Sequence, residues 1–269
     1  MIKDKKLFLF DIDGTLALGD DIFDGTADLI DHIKKINGRA MFISNNVTKS
    51  RVDYVRKFKN WSIKTEIEDF ITASFATALY LTETYGSRLI FAVAPPPLLR
   101  ELRGYGLNLT EKNEKNIEAV LVSFDTGLTY EKLYDASFIL QTTGADFVAT
   151  NPDLRCPAPF GFIPDCGAIC DMLTATTDKT PYYIGKPKPK LVELCLKHSG
   201  FSAAEAVVVG DRLYTDVAVG INAGIDSCLL FSGETKPGDL ENTEFMPTYT
   251  FEDVRELCRH LDIPDTKII

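Results

Sequence analysis

Two carboxylates stand two positions apart in Asp11-Ile12-Asp13-Gly14-Thr15, directly after the apolar run Leu7 to Phe10. On a tight glycine-containing loop, such a pair can divide the labour of phosphoryl transfer. One carboxylate can attack phosphorus while ligating a cation, and the other can pass a proton to and from the leaving oxygen. The plain alternative is an Asp-rich turn, and the position at the end of an apolar strand weighs against it.

Three further signals each follow a strand-like run. Ser44-Asn45-Asn46 comes after Ala40 to Ile43 and offers a hydroxyl and an amide to phosphate oxygens, although Ser and Asn also cap helices. Gly185-Lys186-Pro187 follows Tyr182 to Ile184 and fixes a point charge of the kind that binds phosphate; alone it would read as a solvated turn lysine. Gly210-Asp211-Arg212-Leu213-Tyr214-Thr215-Asp216 follows Ala206 to Val209. Asp211 leaves the strand where a metal ligand is needed, and Asp216 either orients its neighbours or caps the next helix.

The elements that must bring these together alternate between short apolar runs and segments of helical period, the pattern of a parallel sheet flanked by helices. Helices are expected at 26–36, 47–58, 74–85, 130–141, 167–175, 189–198, 217–223 and 251–261. Strands are expected at 7–10, 40–43, 89–93, 117–122, 147–149, 182–184, 206–209 and 228–231. A loop containing Pro and Gly fills 151–164. The fold class is α/β, with a doubly wound parallel core, in which ligands bind beyond the strand C-termini. The core is expected over 1–81 and 182–269, and a smaller α/β insert over 82–181.

The composition is that of an ordinary globular chain, 45% apolar and 25% charged over 269 residues. A net charge of −10 gives no electrostatic help toward nucleic acid or anionic lipid, so positive charge for an anionic ligand must be local. The six cysteines form no C-x-x-C pair and read as buried reduced thiols, and His32, His198 and His260 are scattered over helices. The apolar run after the N-terminal lysines ends at Asp11, too soon for a signal peptide, and no run suits a membrane span. A cytoplasmic protein is expected.

Taken together, the four signals resemble those of the haloacid dehalogenase superfamily of phosphohydrolases. The insert between Ser44 and Lys186 is similar to the type IIA cap, and Ala149-Thr150-Asn151-Pro152-Asp153, Ile184-Gly185-Lys186-Pro187 and Val209-Gly210-Asp211-Arg212 resemble the NagD-like, 4-nitrophenylphosphatase-like branch. The resemblance implies a Rossmann-like core and a magnesium-dependent phosphatase of small phosphate monoesters. By it, Asp11 is the nucleophile and a Mg2+ ligand, and Asp13 the acid and base, with its backbone carbonyl on the metal. Asp211 completes the protein's metal ligands, Ser44, Asn45 and Lys186 hold the phosphate, and Asp216 stands behind them. Pro164-Asp165-Cys166-Gly167 departs from the run usual at that point of the cap. The implied partner is a small phosphorylated metabolite, with no nucleic acid and no membrane, and with a homodimer left open.

Rival readings are a dehalogenase, which would not need Asp13, and a phosphomutase or other phosphotransferase of the same fold. A regulatory binding protein would usually have lost a nucleophile or a ligand, and none is missing here.

Overall fold

The computed structural model describes residues 1–158 and 160–264 and divides into two compact units. One holds Met1–Ser44, Arg51–Ile71 and the chain from Lys186 onward; the other holds Asn45–Ser50 and Thr72–Gly185.

The first unit is built on a six-stranded sheet. Its order is Tyr249–Phe251, Asp226–Leu230, Ala206–Gly210, Leu7–Phe10, Arg39–Ser44, Phe70–Thr72. Leu7 pairs in parallel with Ala206 on one side and Arg39 on the other. Every residue of Leu7–Phe10 and of Ala206–Gly210 is buried, as expected for parallel strands covered on both faces. The chain leaves Leu7–Phe10 toward one edge and later returns on its other side, so the strand order reverses there. A crevice forms beyond the strand ends at such a switch point.

Aromatic packing locks the helix Arg51–Asn60 onto this sheet. Phe58 lies 4.4 Å from Phe42 and 5.1 Å from Phe70 between ring centroids, and Tyr54 stacks on Phe70 at 5.6 Å. The helix begins four residues later than its apolar spacing suggests. Asn46 Oδ1 accepts from Thr48 N at 2.9 Å and from Thr48 Oγ1 at 2.7 Å, a side-chain turn that competes with helical bonding.

The second unit carries a five-stranded parallel sheet in the order Tyr182–Tyr183, Asp146–Ala149, Ile117–Val122, Leu89–Val93, Asn108–Thr110. Its helices are Ala73–Tyr85, Pro96–Gly104, Tyr130–Thr142 and Cys166–Thr177.

Several boundaries differ from the sequence reading. The strand at Tyr182 pairs with Val148 of the second sheet rather than joining the core. The helix Ala73–Tyr85 also belongs to the second unit, so, besides the short excursion Asn45–Ser50, the chain divides at 71/72 and 185/186 instead of at 81/82 and 181/182. The loop expected over 151–164 contains an antiparallel hairpin, Arg155–Ala158 with Gly161–Pro164. The last helix starts only at Val254, because Tyr249–Phe251 adds an edge strand and Asp253 caps the helix behind it.

All six cysteines are free, and only Cys156 is not buried. Burial raises the thiols of Cys195 and Cys228, which keeps them neutral. No helix among the described residues is long and apolar enough to cross a membrane.

Candidate active site

The loop leaving Leu7–Phe10 continues the sheet's bonding for one residue, since Asp11 N donates to Val209 O at 2.8 Å. It then turns through Gly14, whose φ of +97° suits glycine. A side chain there would also meet Asp211, because a Cβ would stand 2.6 Å from Asp211 Oδ2. Gly233 is under the same constraint, with a would-be Cβ 2.0 Å from Asp211 Oδ2. Asp211 is thus closely enclosed: Glu234 N donates to its Oδ2 at 2.7 Å, and the Thr15 hydroxyl lies 3.4 Å from its Oδ1.

Lys186 ties the unit together. Its buried ammonium donates to Asp11 Oδ1 and to Asp216 Oδ1, each at 2.6 Å, and lies 3.4 Å from Ile43 O at the end of the neighbouring strand. Asp216 reaches it from a π-helical turn, Leu213–Val217, and its other oxygen accepts from Arg212 N at 3.1 Å. Turns of this kind are frequent at functional sites. The capping alternative for Asp216 does not hold, because the helix Ala218–Ala223 is preceded by Val217 and has no side-chain cap.

The electrostatics follow from burial and charge count. Burial pushes the Asp11 carboxyl well above the ordinary range; Lys186 opposes this, and Asp216 and Asp211 reinforce it. Asp211 is pushed up to about 6, by burial first and then by Asp216. Burial alone would lower Lys186, but Asp11 and Asp216 reverse that, so the ammonium stays charged. Asp11, Asp211 and Asp216 each offer an oxygen within 4.8 Å of the others. Three carboxylates against one ammonium leave an excess of two negative charges.

Ser44 closes its strand with its Oγ 3.2 Å from the Tyr54 hydroxyl, which burial, with Asp13 adding to it, holds in the protonated form. Asn45 belongs to the second unit. There its amide donates to Asp153 Oδ2 at 2.8 Å, and Asn151 donates to the same oxygen at 2.7 Å. Asp13 is half-exposed, and Lys57 Nζ lies 3.5 Å from its Oδ1. The three histidines lie on helices of the first unit, His32 half-buried and His198 and His260 exposed.

Residues 8–108 match the model of a family described as haloacid dehalogenase-like hydrolase, and residues 183–257 match a second described as HAD-hydrolase-like. An acid sugar phosphatase of Staphylococcus haemolyticus is 32% identical over 261 residues, 97% of this chain and 98% of that protein. The chain belongs to the haloacid dehalogenase-like hydrolases. Among solved structures, a 4-nitrophenylphosphatase from Thermotoga maritima matches with a TM-score of 0.88 and 36% identity, covering 96% of this chain and 98% of that one. NagD from E. coli K-12 matches with a TM-score of 0.83 and 27% identity, over 94% and 98% of the two chains. This haloacid dehalogenase-like chain is an enzyme of the phosphatase group, on the NagD-like and 4-nitrophenylphosphatase-like side that its motifs resemble.

The site's donor set fits the Mg2+ that membership implies. The available atoms are hard carboxylate oxygens, and with all three acids ionised the two-charge excess matches a divalent ion. The sequence reading missed Tyr54 and Lys57. Their spacing of three on one helix, just after Ser44, was the available signal, but such a lysine reads as a solvated face.

Proposed function

We propose that this enzyme hydrolyses small phosphate monoesters by transferring the phosphoryl group to Asp11, with Mg2+ as cofactor. Asp11, Asp211 and the backbone carbonyl of Asp13 would hold the ion, which when bound neutralises charge on the phosphoryl oxygens and on the carboxylate that attacks phosphorus. The observation that carries the reading is Asp11 itself. It is a buried carboxylate at the sheet's switch point, held by Lys186 at 2.6 Å and enclosed with two further acids.

Each of the chain's own groups then has a task. Lys186 draws the substrate's phosphate against Asp11 and offsets the repulsion between dianion and carboxylate. The Ser44 hydroxyl donates to a remaining phosphate oxygen. Asp13 gives a proton to the departing oxygen, then takes one from the water that attacks the aspartyl phosphate. Asp216 keeps Lys186 aimed at the site. The names borne by the relatives point to sugar phosphates and to aryl phosphates as the first substrates to try.

The test is to acid-quench the enzyme during turnover of 4-nitrophenyl phosphate with Mg2+, reduce with borohydride and map the peptides by mass. An acyl phosphate reduces to an alcohol, so the peptide containing Asp11 should carry homoserine at that position. A burst of product with no modification on that peptide would sink the covalent mechanism. Turnover that survives exhaustive chelation would sink the cofactor.

A further inference from the structure

The helix Arg51–Asn60 buries a lysine where its neighbours bury aromatic rings. Tyr54 and Phe58 are fixed by stacking on Phe70 and Phe42, so the helix has little freedom to rotate. Between them, Lys57 is only 8% exposed, an unusual burial for a residue that normally keeps its head in water. Its ammonium lies 3.5 Å from Asp13 Oδ1 on one side and 5.0 Å from the centroid of the Trp61 ring on the other. A buried cation is retained when a carboxylate and an aromatic face compensate it, and here both do.

The same helix end also braces the segment that follows Asp13. Asp13 bridges to Ala17, and Ala17–Leu18 pairs with Asp21–Ile22 in a short hairpin. Trp61 Nε1 donates to Asp20 O at 2.9 Å in the turn of that hairpin. Lys57 and Trp61 therefore hold the Asp13 loop at its side chain and at its far end.

The geometry points to Lys57 as a positioning residue for Asp13, holding its carboxyl group in the orientation from which the proton reaches the departing oxygen. This rests on the reading of Asp13 as the acid. The carboxyl group of Asp13 is otherwise a partly exposed side chain on a glycine-containing loop, and a catalytic group displaced by an ångström loses much of its rate. Lys57 needs no contact with substrate to act, since it works through Asp13.

The experiment compares kcat/KM for 4-nitrophenyl phosphate and for phenyl phosphate. The nitro group stabilises the departing phenolate, so the first ester needs little protonation and the second needs it fully. kcat/KM covers only the steps up to departure of the leaving group, and the ratio of the two values does not depend on how much of a preparation is folded. Lys57→Met keeps the stem and removes the charge. It should lose about tenfold or more on phenyl phosphate but no more than about threefold on 4-nitrophenyl phosphate, the share expected when a general acid is misplaced. Lys57→Arg, which retains a cation, should recover most of the wild-type ratio. Asp13→Asn must show the same grading more strongly. A flat loss, or none, in Lys57→Met beside a graded Asp13→Asn overturns the role of Lys57 alone. A flat Asp13→Asn overturns the reading of Asp13 as the acid, and the Lys57 inference with it. Lys57→Gln serves if the methionine variant yields no soluble protein, with the same two outcomes.

Discussion

Lys186 Nζ and Asp11 Oδ1 lie 2.6 Å apart, although 175 positions separate the two residues in the chain. The contact joins the loop after the central strand to a residue that follows a strand of the other sheet, at Tyr182–Tyr183. It places one fixed cation against the nucleophile candidate while Asp216 holds the same ammonium from behind, also at 2.6 Å. A point charge held by two carboxylates does not have to reorganise when a dianion arrives, which is the condition under which an electrostatic group helps a reaction most.

Lys186→Ala should therefore lower the rate on 4-nitrophenyl phosphate by on the order of 10²-fold or more, as loss of a preorganised stabiliser does. Lys188, two positions on, is exposed and should cost far less when changed to alanine. Steady-state kinetics of both variants make the comparison. Near-wild-type rates in Lys186→Ala would reduce Lys186 to a structural counterion for Asp11 and Asp216.

Asp11→Asn should abolish turnover and leave the metal-free protein at least as stable as wild type. The amide is a far poorer nucleophile, which accounts for the lost rate. Stability moves the other way because burial and the nearby Asp216 and Asp211 disfavour charge at this position more than Lys186 favours it. Thermal unfolding in the presence of chelator checks the second half. A markedly lower melting temperature would show that the Lys186 contact dominates the position.

Much of this site was legible because the residues lie in contiguous motifs. Asp11 and Asp13 sit two apart on one turn, and Asp211 and Asp216 flank one short segment, so a linear reading finds them. Lys186 follows a strand of only two residues that carry no mark of the sheet they join, so the sequence places Tyr182 in the core although it pairs with Val148 of the second sheet. The hairpin from Arg155 was read as a loop because Pro157 and Pro159 interrupt any alternation of apolar and polar residues. Lys57 was invisible because a lysine on an amphipathic helix looks solvated until aromatic packing fixes which way the helix faces.

Asp153 gives a prediction that sequence alone would have drawn differently. It falls in the segment that the sequence gives as a loop, yet it is 3% exposed and accepts from both Asn45 and Asn151 through one oxygen. Asp153→Ala should cost about 2 kcal/mol of stability, since removing a buried acceptor strands its donors. Arg155 is exposed, with its guanidinium 4.4 Å over the Phe162 ring, and Arg155→Ala should cost well under about 1 kcal/mol. Urea denaturation of the two variants separates them. Equal midpoints would mean that Asn45 and Asn151 find other partners.

The raised Asp211 links stability, pH and metal. Its carboxyl titrates near 6 in the folded protein against an ordinary 3.8, so the folded state holds a proton that the unfolded state has released. Where the folded state binds more protons, stability falls as pH rises. For this group the fall begins above the unfolded value, near 4, and is complete once pH has passed the folded value, near 6. The metal-free wild type should accordingly lose on the order of 2 kcal/mol relative to Asp211→Asn between pH 4 and pH 7. A divalent cation that binds the ionised cluster favours the deprotonated form, so Mg2+ should restore the loss at pH 7 and do little at pH 4.5. The measurement is chemical denaturation of both proteins at the two pH values, with chelator and then with Mg2+ in excess. Asp211→Asn should show neither the pH-dependent loss nor the full gain from Mg2+. If the stability difference between the two proteins is the same at both pH values, Asp211 is not the group that carries the linkage. If Mg2+ stabilises wild type and Asp211→Asn equally at pH 7, the ion binds without Asp211.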